Sequence, residues 1–174
     1  VKQFGRLDVV VNNAGWTHRN RPALEVPEDE FDRCYAVNMK SIYLSTIHAT
    51  PVFRQFGGGS FINIASTAGV RPRPGLTWYN GSKGAVITTS KSLAAELGPD
   101  NIRVNCVAPG LIKTDFAKAL HEDPVLSAKY NNETPLRRMG EPDDIGGVAV
   151  FLASAAGQYV TGQTIVADGG MMIR

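Results

Sequence analysis

The sequence has little cysteine and histidine and no long apolar run. Its 174 residues contain three histidines and two cysteines, Cys34 and Cys106, which lie far apart in apolar surroundings. This spacing gives neither a disulfide framework nor a metal site, so we expect two buried free thiols, no metal and a reducing, cytoplasmic location. No stretch is long and apolar enough to span a bilayer, and no signal peptide opens the chain. The sequence therefore predicts no membrane partner.

An excess of charge of one sign is also missing. The formal net charge is +2, and the lysines and arginines are scattered along the chain. Because nucleic acids bind clustered basic side chains, the sequence predicts no nucleic-acid partner. The hydrophobic fraction of 43% and the charged fraction of 20% are typical of a globular protein. The length suffices for one hydrophobic core, so we expect residues 1–174 to form a single domain.

Short apolar runs alternate with helical patterns along the chain. The predicted strands are Val9–Val11, Phe61–Ile64, Ile102–Val107 and Thr164–Val166. The predicted helices cover residues 28–55, 78–97 and 141–152, while residues 111–137 are predicted to be a loop with short helices. This alternation predicts an α/β fold with a parallel sheet and right-handed crossovers. Ligands bind such sheets at the carboxyl ends of the strands.

A tyrosine and a lysine stand four residues apart in the predicted helix 78–97. Tyr79 and Lys83 therefore share one helix face, where the ammonium favours the phenolate and lowers the tyrosine pKa. Ser66 follows a strand and offers a second hydroxyl, so a substrate oxygen could receive two hydrogen bonds. Taken alone, the pair also fits an exposed helix surface with a packed tyrosine and a solvated lysine.

Six motifs in a fixed order resemble the short-chain dehydrogenase/reductase family. They are Asn12–Gly15, Asn38, Ser66 with the run Tyr79–Lys83 thirteen residues later, Arg103–Asn105, Pro109–Thr114 and Thr161–Gly170. The resemblance implies a Rossmann-like, doubly wound parallel sheet and the interconversion of a ketone and a secondary alcohol with NAD or NADP. The substrate would be a small-molecule carbonyl compound or alcohol.

The resemblance also implies roles for the catalytic residues. Tyr79 would be the general acid and base, and Lys83 would lower its pKa and bind the nicotinamide ribose. Ser66 would polarise the substrate carbonyl. Asn38 would hold a water molecule through its backbone and so complete a proton relay behind Lys83.

Two further segments would bind the cofactor. The backbone of Asn13, Ala14 and Gly15 would approach the adenosine side, and the segment with Pro109, Gly110, Ile112 and Thr114 would hold the nicotinamide end. The resemblance further implies a homodimer or homotetramer in the full-length form, in which helices 28–55 and 78–97 pair with their copies. The small residues Ala85, Ala94 and Ala95 would allow close helix contact.

The sequence departs from the family at its start. Nothing in it supplies the first strand, glycine-rich turn and helix that receive the pyrophosphate, so we expect about 80 residues, the first βαβ region, to be absent. The chain looks truncated at its N-terminus, and we expect it to bind cofactor weakly when isolated. The segments Leu136–Gly140 and Arg71–Gly75 look most like those of 3-oxoacyl-carrier-protein reductases or glucose dehydrogenases. The alternative is a non-catalytic nucleotide-binding or scaffold domain.

Overall fold

The computed structural model describes residues 1–173, and residue 119 by its backbone alone. Its strands are β1 (Val9–Asn12), β2 (Gly59–Ile64), β3 (Ile102–Pro109) and β4 (Thr164–Ala167). Its helices are α1 (Glu28–Tyr35), α2 (Ser41–Gln55), α3 (Thr77–Leu97), α4 (Lys118–His121), α5 (Pro124–Glu133) and α6 (Pro142–Ala153). The predicted strands and helices are all present, including the short helices of residues 111–137.

The four strands form one parallel sheet in the order β1-β2-β3-β4. Val10 pairs with Phe61, Phe61 with Val104, and Val107 with Ile165. The fold class is therefore the α/β, Rossmann-like arrangement expected from the sequence. Since all the strands run in one direction, their carboxyl ends meet at a single edge of the sheet. No helix of the described chain is long and apolar enough to cross a bilayer.

Helices cover both faces of the sheet. Phe61 and Val104 pack with Phe53 of α2 and Ala94 of α3, whereas residues of opposite orientation such as Ile62 pack with α6. Strand order advances in the same direction at each step, so the crossover through α6 has the opposite hand to those through α2 and α3. The expectation of right-handed crossovers throughout is therefore wrong for at least one connection, because α6 packs on the other face.

Strand β2 begins two residues earlier than predicted. The three glycines before Phe61 indicate a break, yet Gly59 pairs with Ile102 in the sheet. A Cβ at Gly59 would lie 2.4 Å from the ring of Phe53. Glycine is needed here because α2 packs directly on the backbone of the strand, and not because the chain turns.

Candidate active site

Tyr79 and Lys83 lie in the first turns of α3 and are both buried, with 8% and 4% of their surface exposed. The Lys83 ammonium donates a hydrogen bond of 2.8 Å to the carbonyl of Ile64, the last residue of β2. Its Nζ lies 5.9 Å from the centroid of the Tyr79 ring. The two side chains therefore share one face, as the spacing predicts, and this face points to the carboxyl edge of the sheet and not to solvent.

Ser66 follows β2 and begins a short 3₁₀ turn, Thr67–Gly69. Its hydroxyl accepts a 3.1 Å hydrogen bond from the amide of Ala68, and it lies close enough to Tyr79 to lower the pKa of that tyrosine in part. A Cβ at Gly69 would lie 2.6 Å from the carbonyl carbon of Lys83, so the turn rests against the backbone of α3. This backbone contact places the Ser66 hydroxyl beside the tyrosine.

Burial has the largest effect on the pKa values of Tyr79 and Lys83. Desolvation raises the pKa of Tyr79, while the Ser66 hydroxyl and the charge of Arg73 oppose it only in part. Desolvation also lowers the pKa of Lys83 to about 8. Burial thus outweighs the groups that lower the pKa of Tyr79, and the net shift is upward. Tyr79 is protonated at neutral pH, and a protonated hydroxyl can donate to a developing alkoxide.

Asn38 lies in a π-helical turn, Ala36–Lys40, between α1 and α2. Its side chain is 2% exposed and is held at both ends of its amide. The Oδ1 atom accepts from the backbone amide of Trp16 at 2.8 Å, and Nδ2 donates to the Trp16 carbonyl at 2.9 Å. π turns occur frequently at functional sites, and this one fixes the loop that follows β1.

That loop carries Asn13, Ala14 and Gly15, which are all exposed. A Cβ at Gly15 would lie 3.4 Å from Nζ of Lys83 and 3.8 Å from Oδ1 of Asn38. The absence of a side chain at Gly15 therefore leaves the Lys83 ammonium accessible from the sheet edge.

The segment after β3 lies at the same edge. The amide of Gly110 donates to the carbonyl of Ala167 at 3.0 Å, and Ile112 forms a parallel bridge with Gly140. Thr114 precedes the 3₁₀ turn Asp115–Ala117, and its side chain makes no capping bond. The structure thus gathers Gly15, Asn38, Ser66, Tyr79 and Lys83 at the carboxyl edge of the sheet, and Pro109–Thr114 follows β3 at the same edge.

Two residues near Tyr79 escaped the sequence analysis. The ring centroid of Phe116 lies 6.3 Å from that of Tyr79, although the phenylalanine is largely exposed. The charge of Arg73 acts on the tyrosine hydroxyl. Arg73 belongs to the segment Arg71–Gly75 and stands six residues before Tyr79, which is a weak sequence signal for its position. Nothing in the sequence spacing predicts that Phe116 lies near Tyr79.

Ser82 also escaped the sequence analysis. It is fully buried between Tyr79 and Lys83 in the sequence. Its hydroxyl donates to the Tyr79 carbonyl at 2.8 Å and accepts from Nδ2 of Asn38 at 2.8 Å. The thiol of Cys34 lies 3.5 Å away. Cys34, Asn38 and Ser82 are called the site cluster below.

A second group of the same three residue types lies farther along α3. Nδ2 of Asn63 donates to the hydroxyl of Ser90 at 2.8 Å, and Ser90 donates to the Val86 carbonyl at 2.7 Å. The thiol of Cys106 lies 3.1 Å from that hydroxyl. Asn63, Ser90 and Cys106 are called the sheet cluster, because two of them belong to strands.

The expected thiol chemistry agrees with this arrangement. Cys34 and Cys106 are free and buried. Burial raises the pKa of both thiols, so they are protonated at neutral pH. Within residues 1–173, no group of three or more histidine, cysteine, aspartate or glutamate side chains could hold a metal ion.

Comparison with known proteins gives a consistent result. A family model described as enoyl-(acyl carrier protein) reductase matches residues 1–172. The chain is 47% identical to 4-formylbenzenesulfonate dehydrogenase from Comamonas testosteroni, over 99% of this chain and 70% of that protein. Across eight of the curated relatives that it matches, the chain spans 61–70% of their length.

Solved structures show the same fold. Gluconate 5-dehydrogenase from Burkholderia cenocepacia, in complex with NADP and tartrate, superposes with a TM-score of 0.94 at 33% identity, over 99% of this chain and 68% of that one. The 3-ketoacyl-(acyl-carrier-protein) reductase from Brucella melitensis, complexed with NADH, gives a TM-score of 0.89 at 37% identity, over 98% and 69%.

Proposed function

The chain belongs to the short-chain dehydrogenase/reductase family, and from this premise we propose that it acts as an NAD- or NADP-dependent oxidoreductase interconverting a ketone and a secondary alcohol. The observation that carries the proposal is the placement of Ser66, Tyr79 and Lys83 close together at the carboxyl edge of a parallel sheet. A tyrosine hydroxyl, a second hydroxyl and a buried ammonium are the groups that proton transfer to a carbonyl oxygen requires.

The residues at the sheet edge fit a nicotinamide cofactor. In the described chain, the buried Lys83 ammonium has one hydrogen-bond acceptor, the Ile64 carbonyl, although an ammonium carries three donors. Its other protons can bind ribose hydroxyls, and Gly15 leaves room for them. Asn13, Ala14 and Gly15 would then approach the adenosine side, and the nicotinamide would lie by Pro109, Gly110, Ile112 and Thr114. When bound, the cofactor supplies or accepts the hydride.

The side chains of this chain then move the proton. In the reducing direction, the hydroxyls of Ser66 and Tyr79 donate hydrogen bonds to the carbonyl oxygen and stabilise the charge that develops on it. As the carbonyl carbon gains a hydride, the Tyr79 proton passes to the oxygen and leaves a phenolate. Lys83 stabilises that phenolate, and a water molecule on the Asn38 backbone would return the proton. Oxidation of the alcohol is the reverse of these steps.

The relatives define a sensible substrate panel. Their names refer to 4-formylbenzenesulfonate, which is an aldehyde, and to 3-oxoacyl-(acyl carrier protein) and gluconate, which carry a ketone and secondary alcohols. Two of these compounds are anions, and the charge of Arg73 beside Tyr79 would favour them. We therefore propose to assay all three classes with both cofactors.

The decisive variant is Tyr79→Phe, assayed in the protein that contains this chain. We expect turnover to fall by about 10²–10⁴-fold, the usual contribution of a general acid. Tyr159→Phe is the matched control, since Tyr159 is 99% exposed and distant in sequence. Circular dichroism should show the same fold for both variants. Unchanged turnover in Tyr79→Phe would overturn the role of Tyr79, and no turnover of the unmodified protein with any substrate of the panel would favour a non-catalytic nucleotide-binding or scaffold domain.

We also propose a homodimer, or a homotetramer built on it, in which α2 and α3 contact their copies. A cavity of about 180 Å³ lies between these helices, lined by apolar residues such as Met39, Ile42 and Leu93. Tyr43 and Ile47 beside it are more than half exposed. Ala94, which the sequence analysis assigns to this contact, packs instead against the sheet because it lies on the opposite side of α3.

Light scattering on Ile47→Glu tests this contact, and a lower mass than the unmodified protein is expected.

We further propose that residues 1–174 act as a single domain and that the protein is cytoplasmic. The free thiols of Cys34 and Cys106 support that location.

A further inference from the structure

Ser82 occupies a central place that the proposed reaction does not use. It belongs to the run Tyr79–Lys83, and its side chain is fully buried. Its single hydroxyl proton goes to the Tyr79 carbonyl, at 2.8 Å. The oxygen can therefore act only as an acceptor toward its other neighbours, and Nδ2 of Asn38 donates to it at 2.8 Å.

The Asn38 amide transmits this contact to the loop after β1. Because Nδ2 must donate to Ser82, the amide has one orientation, with Oδ1 facing the Trp16 amide hydrogen. A flipped amide would place two acceptors, Oδ1 and the Ser82 oxygen, against each other. Ser82 thus favours the same orientation of Asn38 that binds both the amide and the carbonyl of Trp16.

The fixed backbone of Trp16 sets the position of the residue before it. Gly15 lies so close to Lys83 that an added Cβ would be 3.4 Å from Nζ. A continuous set of contacts therefore runs from the Tyr79 carbonyl through Ser82 and Asn38 to the loop that faces the Lys83 ammonium.

We propose that Ser82 is a positioning residue, which orients Asn38 and thereby holds the Gly15 loop and α3 in the relative arrangement that the reaction needs. This inference rests on the proposed oxidoreductase function. A displacement of about 1 Å in an active site can cost about 100-fold in rate, so the loss of one buried hydroxyl can have a large effect without any contact to substrate.

The sheet cluster supplies the control. Ser90 lies on the same helix, is 2% exposed, donates to a helix carbonyl and accepts from a buried asparagine at 2.8 Å. It stands eight residues beyond Ser82, about 12 Å along an α-helix. Ser82→Ala and Ser90→Ala thus remove equivalent hydrogen bonds, and only the first belongs to the contacts around Tyr79 and Lys83.

The test compares Ser82→Ala and Ser90→Ala in the protein that contains this chain. We expect similar losses in melting temperature, but kcat about 10- to 100-fold lower in Ser82→Ala alone, with KM for the carbonyl substrate within about threefold. The pH profile of kcat should also move in Ser82→Ala and stay unchanged in Ser90→Ala. Equal losses of kcat in both variants, with unmoved profiles, would overturn the inference.

Amide hydrogen exchange gives a second readout that needs no turnover. The Trp16 amide donates to Asn38, so its exchange should be at least about tenfold faster in Ser82→Ala and unchanged in Ser90→Ala. Equal protection in the two variants would contradict the positioning role. If Tyr79→Phe is inactive while Ser82→Ala behaves normally, the proposed function stands and this inference fails. If Tyr79→Phe remains active, the proposed function fails, and Trp16 exchange still decides whether Ser82 holds the loop.

Discussion

The site cluster and the sheet cluster contain the same three residue types, and the serine of each cluster lies on α3. In each, a buried asparagine donates to a buried serine at 2.8 Å, and a cysteine thiol lies beside the serine hydroxyl. The difference lies in what the asparagine binds next. Asn38 holds the backbone of Trp16, in a loop, whereas Asn63 accepts from the side chain of Asn12, in the neighbouring strand.

Similar hydrogen bonds can therefore have different roles, one in the stability of the sheet and the other in the position of the candidate site. The sheet cluster joins β1, β2, β3 and α3, which are already held by backbone pairing and a shared core. The site cluster joins α3 to a loop that has no strand partner to hold it. We therefore expect changes in the sheet cluster to affect stability, and changes in the site cluster to affect turnover as well.

The largest expected effect concerns the lysines that follow the two clusters. Lys83 comes directly after Ser82, and Lys91 comes directly after Ser90 but is exposed. Lys83→Met should lower turnover by about 10²–10⁴-fold, since it removes the ammonium beside Tyr79. Lys91→Met should leave turnover unchanged in the same steady-state assay. Equal behaviour of the two variants would remove the functional distinction between the clusters.

A smaller effect is expected in stability. Asn63→Ala leaves the part-buried Asn12 and the buried Ser90 without their partner, which costs about 1–3 kcal/mol in the free energy of unfolding. Urea denaturation measures this loss, and kcat of the folded protein should stay close to that of the unmodified protein. A strong fall in kcat would show that the sheet cluster also positions the site.

The smallest effect is a pH dependence of stability that Lys83 should produce. Its pKa is about 8 in the folded protein against 10.5 as the ordinary value. Between these pH values the unfolded chain binds more protons, so this group makes the folded state more stable as the pH rises. Tyr79, Cys34 and Cys106 have raised pKa values and act in the opposite direction.

The difference between Lys83→Met and the unmodified protein isolates that contribution. The free energy of unfolding of Lys83→Met, relative to that of the unmodified protein, should be highest below about pH 8 and should fall toward pH 10.5. Urea denaturation at each pH measures this difference. A constant difference for Lys83→Met across this pH range would mean that the folded environment leaves the proton affinity of Lys83 unchanged.

Much of the fold followed from local sequence. The β-branched run at Val9–Val11 and the helix ending before Gly98-Pro99 were visible without any tertiary information, and the structure confirms both. Gly59 was misread because glycine signals a turn in a sequence, whereas here it makes room for the ring of Phe53. That contact depends on how α2 packs, which no local pattern encodes.

The candidate site was likewise predicted only in part from the sequence. The spacing of Tyr79 and Lys83 gave their common face, but the direction of the tyrosine pKa depends on burial, which the spacing does not show. Ser82 was not predicted because its partner Asn38 lies 44 residues earlier in the sequence. Only the packing of the π turn against α3 brings these two residues together.

The contact of Gly69 with α3 has a practical consequence for protein engineering. Because a Cβ there would lie 2.6 Å from the Lys83 carbonyl carbon, the backbone of the turn after Ser66 is in direct contact with the backbone of α3. Libraries that aim at new substrates can vary the exposed residues Val70 and Arg71 while Gly69 stays constant. Libraries that leave Gly69 unchanged should preserve the distance between the hydroxyls of Ser66 and Tyr79, whatever substrate the redesigned pocket binds.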